Sequence, residues 1–261
     1  MSGRRDFGAV ADRLLPWLLP LLALAAWEGA AQAGLISSRI LPKVSDVAAA
    51  GWRLTASGEL FTHLQASFAR AGVGFVIGGG IGFGLGLLNG IFPVAEKLLD
   101  TTVQMVRNVP HLALIPLVIL WFGIDEEAKI FLVALGVFFP IYVNTFHGIR
   151  TVDAGLIEMG RSYGLTRWEL LRHAVLPGAL PSILVGLRFA LGFMWLTLIV
   201  AETIAAPSGI GYMAMNAREF LQTDVVVLAV LLYALLGKLA DVIARALERR
   251  ALAWSPAFQN V

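Results

Sequence analysis

The sequence contains no cysteine, and this absence limits its possible chemistry. Without thiols the chain cannot form disulfide bonds, hold a metal through thiolates or carry out thiol redox reactions. Charged residues are also scarce: they make up 15% of the chain, against about 25% in an ordinary soluble domain. Hydrophobic residues account for 58% of the 261 residues, and the mean hydropathy is +0.77. We therefore predict an integral membrane protein.

The common catalytic motifs are absent as well. The sequence has no G-x-x-x-x-G-K-[ST] phosphate-binding loop, no H-E-x-x-H metal motif and no G-x-S-x-G nucleophile motif. Ser208 follows Pro207 and lacks the glycine pattern of a nucleophile elbow. We therefore predict no catalytic residue, cofactor site or metal site on this chain. If such a protein moves a solute actively, the energy must come from a partner or an ion gradient.

Apolar stretches long enough to cross a bilayer recur along the chain, and each needs about 20 residues. They predict an all-α polytopic membrane protein with about six transmembrane helices, at residues 14–34, 65–91, 97–122, 128–148, 182–205 and 223–246. The first stretch follows Arg4 and Arg5, as in a signal peptide. Its length, and the absence of a cleavage site followed by a soluble domain, favour a retained helix.

Charge distribution predicts the orientation in the membrane. An even number of spans puts both termini on one side, and cations near the outer ends place that side in the cytoplasm. These cations are Arg4, Arg5, Arg13, Arg245, Arg249 and Arg250. Arg39, Lys43 and Arg53 fall on the far side, contrary to the rule. The isoelectric point near 9.1 fits cytoplasmic cations better than nucleic-acid binding.

The spans divide the chain into three predicted regions. Residues 1–63 form the N-terminal tail, the first span and an extracytoplasmic segment, in which 37–63 is predicted to be an amphipathic helix. Residues 64–248 form the transmembrane core, which includes a polar loop at 150–181. Residues 249–261 form a cytoplasmic tail.

Glycines recur at every fourth position of the second span, at Gly74, Gly78, Gly82, Gly86 and Gly90. Such a small-residue ridge lets another membrane helix approach closely. Ordinary close packing is the favoured interpretation, and a sliding interface is the alternative. A nucleotide site is not predicted, because the G-x-G-x-x-G spacing never occurs.

Ionisable side chains inside membrane spans are costly and usually face a cavity or a partner. In the third span, Asp100, Gln104, Arg107 and His111 fall on one helical face, and Pro110 and Pro116 predict a kink. Two interpretations weigh equally: a route for an anion, or a structural network in which Arg107 pairs with Asp100 or Glu202. The candidate pathway residues are Gln104, Arg107, Asn108, His111, Asn144 and Glu202. For Glu202 a packing or hydrogen-bonding role is favoured over gating, and the isolated His63 and His173 are predicted to be solvated.

A polar segment from Glu158 to Pro177 interrupts the apolar stretches and is predicted to face the cytoplasm. A short helix beginning near Thr166 would present Arg167, Trp168 and Arg172, a mixture of charge and aromatic surface that suits a groove on another protein. Gly164 permits the turn before this helix. Pro177 and Pro181 are expected to end the segment before the chain re-enters lipid.

The spacing within this segment resembles the coupling-loop signature of ABC importer permeases. Glu158-Met159-Gly160, Gly164 three residues later, and Ala174-Val175-Leu176-Pro177 after nine more match the pattern EAA, three residues, G, nine residues, I-x-L-P. Met159, Gly160 and Ala174 replace two alanines and an isoleucine.

Further matches point to the nitrate, taurine and sulfonate group of permeases, and most of all to aliphatic sulfonate permeases. They are Arg107-x-x-Pro110, Ala113-x-x-Pro116-Leu117 with Trp121-Phe122-Gly123, Phe139-Pro140-x-x-x-Asn144 and Pro177-Gly178-Ala179-Leu180-Pro181. The resemblance covers about residues 60–250.

The resemblance implies a type I ABC importer permease that carries small organic anions, most probable among them aliphatic sulfonates. It implies a homodimer, two cytoplasmic ATPase subunits that hold ATP and Mg²⁺, and an extracytoplasmic solute-binding protein. This chain itself would contact membrane lipid and would not bind nucleic acid. The coupling residues that it implies are Glu158, Gly160, Arg161, Gly164, Arg167, Trp168, Arg172, Leu176 and Pro177.

Two other functions are consistent with a polytopic chain. A secondary transporter or channel for small anions, not driven by ATP, would show an inverted repeat and midplane carboxylates, and no repeat is evident. A membrane scaffold that only recruits a partner through its polar segment would carry no solute.

Overall fold

The computed structural model describes residues 3–254, with all side chains in that range except those of residues 3–14, 16, 111 and 205. Between residues 3 and 254 the regular structure is helical and includes no β-strand. The α-helices are α1 Gly3–Gln32, α2 Val44–Ala56, α3 Glu59–Ile91, α4 Pro93–Arg107, α5 Ile115–Phe122, α6 Glu126–Arg150, α7 Ala154–Ser162, α8 Arg167–Leu170, α9 Leu176–Ala205, α10 Ile210–Glu219 and α11 Thr223–Ala251. A 3₁₀ turn spans His111–Leu114, and a π-helical segment spans Leu171–Val175.

Four helical stretches in the described part of the chain are long and apolar enough to cross a bilayer. They are α3, α6, the continuous stretch 167–204 and α11. Counting α4 and α5 together as one bent span makes five. The all-α membrane prediction is confirmed, but the count of six is not reproduced exactly. The first predicted span coincides with α1, some of whose side chains lie outside the described residues.

Two compact units divide the chain: Met1–Thr62 with Met213–Leu231, and His63–Tyr212 with Leu232–Val261. In the first unit, the Glu28 carboxylate accepts hydrogen bonds from the backbone nitrogen and hydroxyl of Ser45 at 3.2 and 2.9 Å. These bonds fasten α1 to the first turn of α2. The predicted amphipathic helix at 37–63 is shorter than expected, because α2 ends at Ala56 and α3 already begins at Glu59.

In the second unit, the glycine ridge of α3 packs directly against α6. A Cβ added at Gly74 would lie 2.6 Å from Val133, and one at Gly90 would lie 2.8 Å from Ile149. At Gly78 an added Cβ would overlap the carbonyl oxygen of Ala134. The interpretation as close helix packing is therefore confirmed, with backbone meeting backbone at the centre of the contact.

The predicted third span is broken rather than kinked. The helix α4 ends at Arg107, α5 begins at Ile115, and the two helices are bent by 79°. Pro110 supplies no backbone N–H and disfavours helical geometry at Val109, the residue before it. The helix therefore cannot continue from α4 into α5. The predicted polar face from Asp100 to His111 is consequently wrong as one helical stripe, because His111 belongs to a different element.

Gly78→Ala is expected to lower the free energy of unfolding by about 1–3 kcal/mol, because its methyl group would overlap the backbone of α6. Gly80→Ala is the matched control: nothing lies within 4 Å of its added Cβ, and removing a helical glycine can stabilise by up to about 1 kcal/mol. Thermal unfolding of both variants in detergent measures the difference. Equal midpoints would contradict the packing described for Gly78.

Candidate functional site

The polar segment after α6 folds into two short helices held by local contacts. Asp153 caps α7, accepting a hydrogen bond from the Gly155 backbone nitrogen at 2.7 Å. At Gly160 an added Cβ would lie 2.5 Å from Leu170 Cδ2, so only glycine lets α7 and α8 approach this closely. Gly164 has a φ of +78°, which ends α7 in the left-handed conformation that glycine favours.

A capping box starts α8 at the predicted position. The Thr166 hydroxyl accepts a hydrogen bond from the Glu169 backbone nitrogen at 3.3 Å, and the Glu169 carboxylate accepts one from the Thr166 nitrogen at 2.8 Å. From Arg167 the helix then continues through the π segment into α9.

The prediction that Pro177 and Pro181 end this segment is wrong. Pro177 is the second residue of α9, directly after the π segment, and Pro181 lies inside the helix, so neither proline ends it.

The outer surface of these two helices is aromatic and basic. Tyr163 is 81% exposed and Trp168 is 68% exposed. Other predicted coupling residues are exposed beside them: Glu158, Arg161, Gly164, Arg167 and Arg172. Gly160 is buried, and Leu176 and Pro177 are half-buried, so these three hold the segment together instead of presenting a surface. His173 is exposed, as predicted.

A buried arginine in α3 organises the other end of the spans. Arg70 is 4% exposed, and all five N–H donors of its guanidinium are used. Its nitrogens contact Glu126 at 2.5 and 2.7 Å, Glu202 at 2.9 Å, and the carbonyl and hydroxyl oxygens of Ser208 at 2.5 and 3.1 Å.

Glu202 of α9 is as fully satisfied as Arg70. Besides Arg70, its carboxylate accepts hydrogen bonds from the Ser67 hydroxyl at 2.8 Å, the Gly211 nitrogen at 2.9 Å and the Tyr233 hydroxyl at 3.0 Å. We call Ser67, Arg70, Glu126, Glu202 and Tyr233 the buried ion cluster, after the buried Arg70–Glu202 pair at its centre. Glu126 lies at its edge and is 49% exposed. This geometry supports the hydrogen-bonding role that the sequence favours for Glu202.

Sequence reasoning missed Arg70 altogether. The polar residues His63, Ser67 and Arg70 are spaced by four and three residues, which places them on one face of α3. That spacing was the available signal. The prediction that His63 is solvated is wrong, because the side chain is buried and its Nδ1 accepts a hydrogen bond from the Gly209 nitrogen at 3.1 Å.

A second polar network joins α4 to α6 and α3. The Tyr142 hydroxyl donates to Asp100 and accepts from the Asn89 amide, both at 2.7 Å, and Gln104 donates to Asp100 at 3.1 Å. Asp100 and Gln104 therefore serve a structural network. Arg107 is exposed, and it forms no ion pair with Asp100 or Glu202 among the described side chains.

Arg107 instead lines a cavity of about 430 Å³. The cavity lies between the end of α4, the middle of α6 and the middle of α9, and Asn144 also lines it. The other lining residues are Gly136, Phe139, Pro140, Val143, Phe189 and Phe193. Of the six pathway candidates, Arg107 and Asn144 meet here. Gln104, Asn108 and Glu202 do not line this cavity, and the His111 side chain lies outside the described residues.

Comparison with known proteins gives a consistent result. The family model described as "Binding-protein-dependent transport system inner membrane component" matches residues 77–252. The chain is 66% identical to "Putative aliphatic sulfonates transport permease protein SsuC" of Escherichia coli (strain K12), with 94% of each chain covered. It is 44% identical to the protein of the same name in Bacillus subtilis (strain 168), covering 99% of this chain and 92% of that one. The "Taurine transport system permease protein TauC" of E. coli (strain K12) is 36% identical, covering 93% of this chain and 94% of that one.

Among solved structures, a chain from inward-facing conformations of the MetNI methionine ABC transporter superimposes with a TM-score of 0.55. The superposition covers 72% of this chain and 95% of that one at 22% identity, so the similarity concerns the fold alone. Together with the family model, this match confirms the predicted permease fold.

Arg70→Met is expected to lower the free energy of unfolding by about 3–5 kcal/mol, because it leaves Glu202 charged and buried without its partner. Arg53→Met is the matched control. Its ion pair with Asp224 has the same 2.9 Å separation, but Arg53 is 63% exposed, so the cost should be about 0–1 kcal/mol. Thermal unfolding of both variants in detergent tests this, and a similar loss for each would contradict the role assigned to burial.

Proposed function

Because the chain belongs to the family of binding-protein-dependent transport system inner membrane components, we propose that it forms the translocation pathway of an ATP-driven importer for aliphatic sulfonates or chemically similar organic anions. The sequence, the fold and the relatives agree on a membrane permease subunit, not an enzyme. The substrate class is inferred from relatives described as aliphatic sulfonate and taurine permeases, since taurine is itself a sulfonate.

The observation that carries this proposal is the exposed aromatic and basic surface around Tyr163 and Trp168. Aromatic and arginine side chains are enriched where proteins dock on one another. We infer that this surface binds a cytoplasmic ATPase subunit, which holds ATP and Mg²⁺. Each importer would contain two copies of this chain, two such ATPase subunits and an extracytoplasmic solute-binding protein.

The connection from this surface to the membrane is a single helical path. Residues 167–204 are continuous, and at 1.5 Å per residue they extend about 57 Å. A displacement of Trp168 by the ATPase is therefore transmitted along α9 toward Glu202. The buried ion cluster fixes that far end to α3, α6 and α11. In the proposed importer, ATP binding would displace α9 in both copies and so move the copies relative to each other. This movement would change the side of the membrane to which the pathway is open.

The proposed anion route includes the cavity that Arg107 and Asn144 line. A guanidinium and a side-chain amide donate hydrogen bonds to a sulfonate, while Phe139, Phe189 and Phe193 suit its apolar chain. The route needs donors without tight binding, because a transported ion must leave again.

Orientation and location follow the same proposal. If the surface around Trp168 meets a cytoplasmic ATPase and α1 crosses the membrane as the sixth span, both termini lie in the cytoplasm and the membrane is the bacterial inner membrane. A secondary transporter or channel is the less favoured function, because the family is described as binding-protein-dependent.

Trp168→Ala is expected to reduce co-purification of the ATPase subunit by about tenfold or more, because truncating a central aromatic residue of an interface costs about 2 kcal/mol. Thermal stability should change little, since Trp168 is exposed. Trp52→Ala is the matched control: Trp52 is 75% exposed and lies on α2, outside the docking surface. Equal retention of the ATPase by both variants would contradict the docking role.

Arg107→Ala is expected to reduce sulfonate uptake by about tenfold, because a hydrogen bond to a charged group contributes about 1.5–3 kcal/mol. Uptake is measured in vesicles that contain the assembled importer, alongside ATPase activity. Arg39→Ala, which removes an exposed arginine that does not line the cavity, is the control. Normal uptake by an assembled Arg107→Ala importer would remove Arg107 from the pathway.

A further inference from the structure

A second cavity of about 570 Å³ adjoins the one that contains Arg107. It lies between α9 and α11, and Phe189 and Phe193 line both cavities. Its other lining residues are Val185, Arg188, Gly192, Leu196, Gly237 and Asp241. The two phenylalanines therefore form a wall between two cavities that each contain an arginine.

The polar end of this second cavity carries excess positive charge. Asp241 accepts a hydrogen bond from Arg188 Nε at 2.8 Å and another from Arg245, and it lies 3.9 Å from Lys238 Nζ. Three cations thus share one carboxylate, which leaves a net charge of about +2. Within residues 3–254, neither the two Nη nitrogens of Arg188 nor Lys238 Nζ makes a further hydrogen bond. These donors are available to an anion.

Counting along α9 places this charge toward the coupling end of the spans. Arg188 is 17 residues from Ala205, or about 26 Å along α9. The hydrocarbon core is about 30 Å thick. Arg188 also lies five residues closer to the coupling segment than Phe193, on the same helix.

We propose that this cavity is a second binding site for the transported organic anion, with Arg188 as the donor that lines it. Lys238 is not a lining residue and adds only its positive charge, 3.9 Å from Asp241. A sulfonate leaving the Arg107 cavity would pass Phe189 and Phe193 and meet these cations before its release. The Asp241 carboxylate offsets part of the positive charge and so keeps binding weak enough for exit. This inference rests on the proposed function, since it assigns the same class of ligand to another part of the route.

The cysteine-free chain allows a direct test of the ligand's charge and identity. No atom lies within 4 Å of a Cβ added at Gly237, so Gly237→Cys places one thiol in the cavity. Its rates of modification by 2-sulfonatoethyl methanethiosulfonate, an anion, and by the trimethylammonium analogue, a cation, are measured on the full-length protein in neutral phosphatidylcholine nanodiscs. A free thiol in solution gives the reference ratio of the two rates.

We expect the anion-to-cation ratio to exceed the reference by about tenfold, as in other charged clefts. Adding Arg188→Gln should lower the ratio about threefold to tenfold, and butanesulfonate should slow the modification. Arg249→Gln is the matched control: it removes the same charge from an exposed position of α11 that does not line the cavity, and it should leave the ratio unchanged.

Three results would overturn the inference. One is a ratio equal to the reference or unaffected by Arg188→Gln. Another is protection by anionic phosphatidylglycerol in the nanodisc but not by butanesulfonate, which would make this a lipid headgroup site. The third is formation of a disulfide between two Gly237→Cys chains, which would place a second copy in the cavity. Since the labelling requires no transport, these failures are distinct from normal uptake by Arg107→Ala.

Discussion

The ion pair between Arg70 and Glu202 is the interaction on which the second unit depends most. Moving each charge out of water costs several kcal/mol, and only close, complete pairing recovers that cost. Here the pairing is complete, because the Arg70 guanidinium uses all of its donors and the Glu202 carboxylate has four kinds of partner. The cluster joins α3, α6, α9, α11 and the chain before α10 at one place. Removing Arg70 would leave Glu202 buried without a positive charge, and removing Glu202 would leave Arg70 with only the half-exposed Glu126.

The glycine ridge complements this cluster along the length of α3. Where the glycines from Gly74 to Gly90 face α6, contact is made by backbone and by side chains of α6 alone. Such a contact has little freedom to repack, because the glycines have no side chain that can change its rotamer. Asn89 adds one side-chain hydrogen bond from α3, to Tyr142. The charged cluster and the ridge together make α3 and α6 a rigid pair. The adjoining helix α9 connects this pair to the coupling segment.

Much of this arrangement is predictable from sequence because the signals are local. The membrane class follows from composition, the close packing of α3 from glycines at every fourth position, and the start of α8 from Thr166 and Glu169. The segment that we propose to bind the ATPase is identified by the spacing of Glu158, Gly164 and Pro177, which resembles the signature of the family. Each of these features depends on residues within a few turns of one another.

Features that depend on distant residues are harder to predict. Arg70 and Glu202 are 132 positions apart, so no local pattern indicates that they pair. A proline lies both at the break after Arg107 and in the continuous helix at Pro177, so the same residue type has opposite results. Proline stops a helix at Pro110, yet it is accommodated at Pro177, where the π segment precedes the first turn of α9. The surrounding helical register decides between these outcomes.

The capping of α7 and α8 has a consequence for the speed of assembly. The proposed docking surface is shaped within this chain alone, by Asp153, the Thr166–Glu169 capping box and the contact of Gly160 with Leu170. A partner therefore meets a finished surface and does not wait for a disordered loop to fold. The association rate of the proposed ATPase partner would then depend on diffusion and on its attraction to Arg161, Arg167 and Arg172. Assembly is thus an encounter whose rate should fall as ionic strength rises.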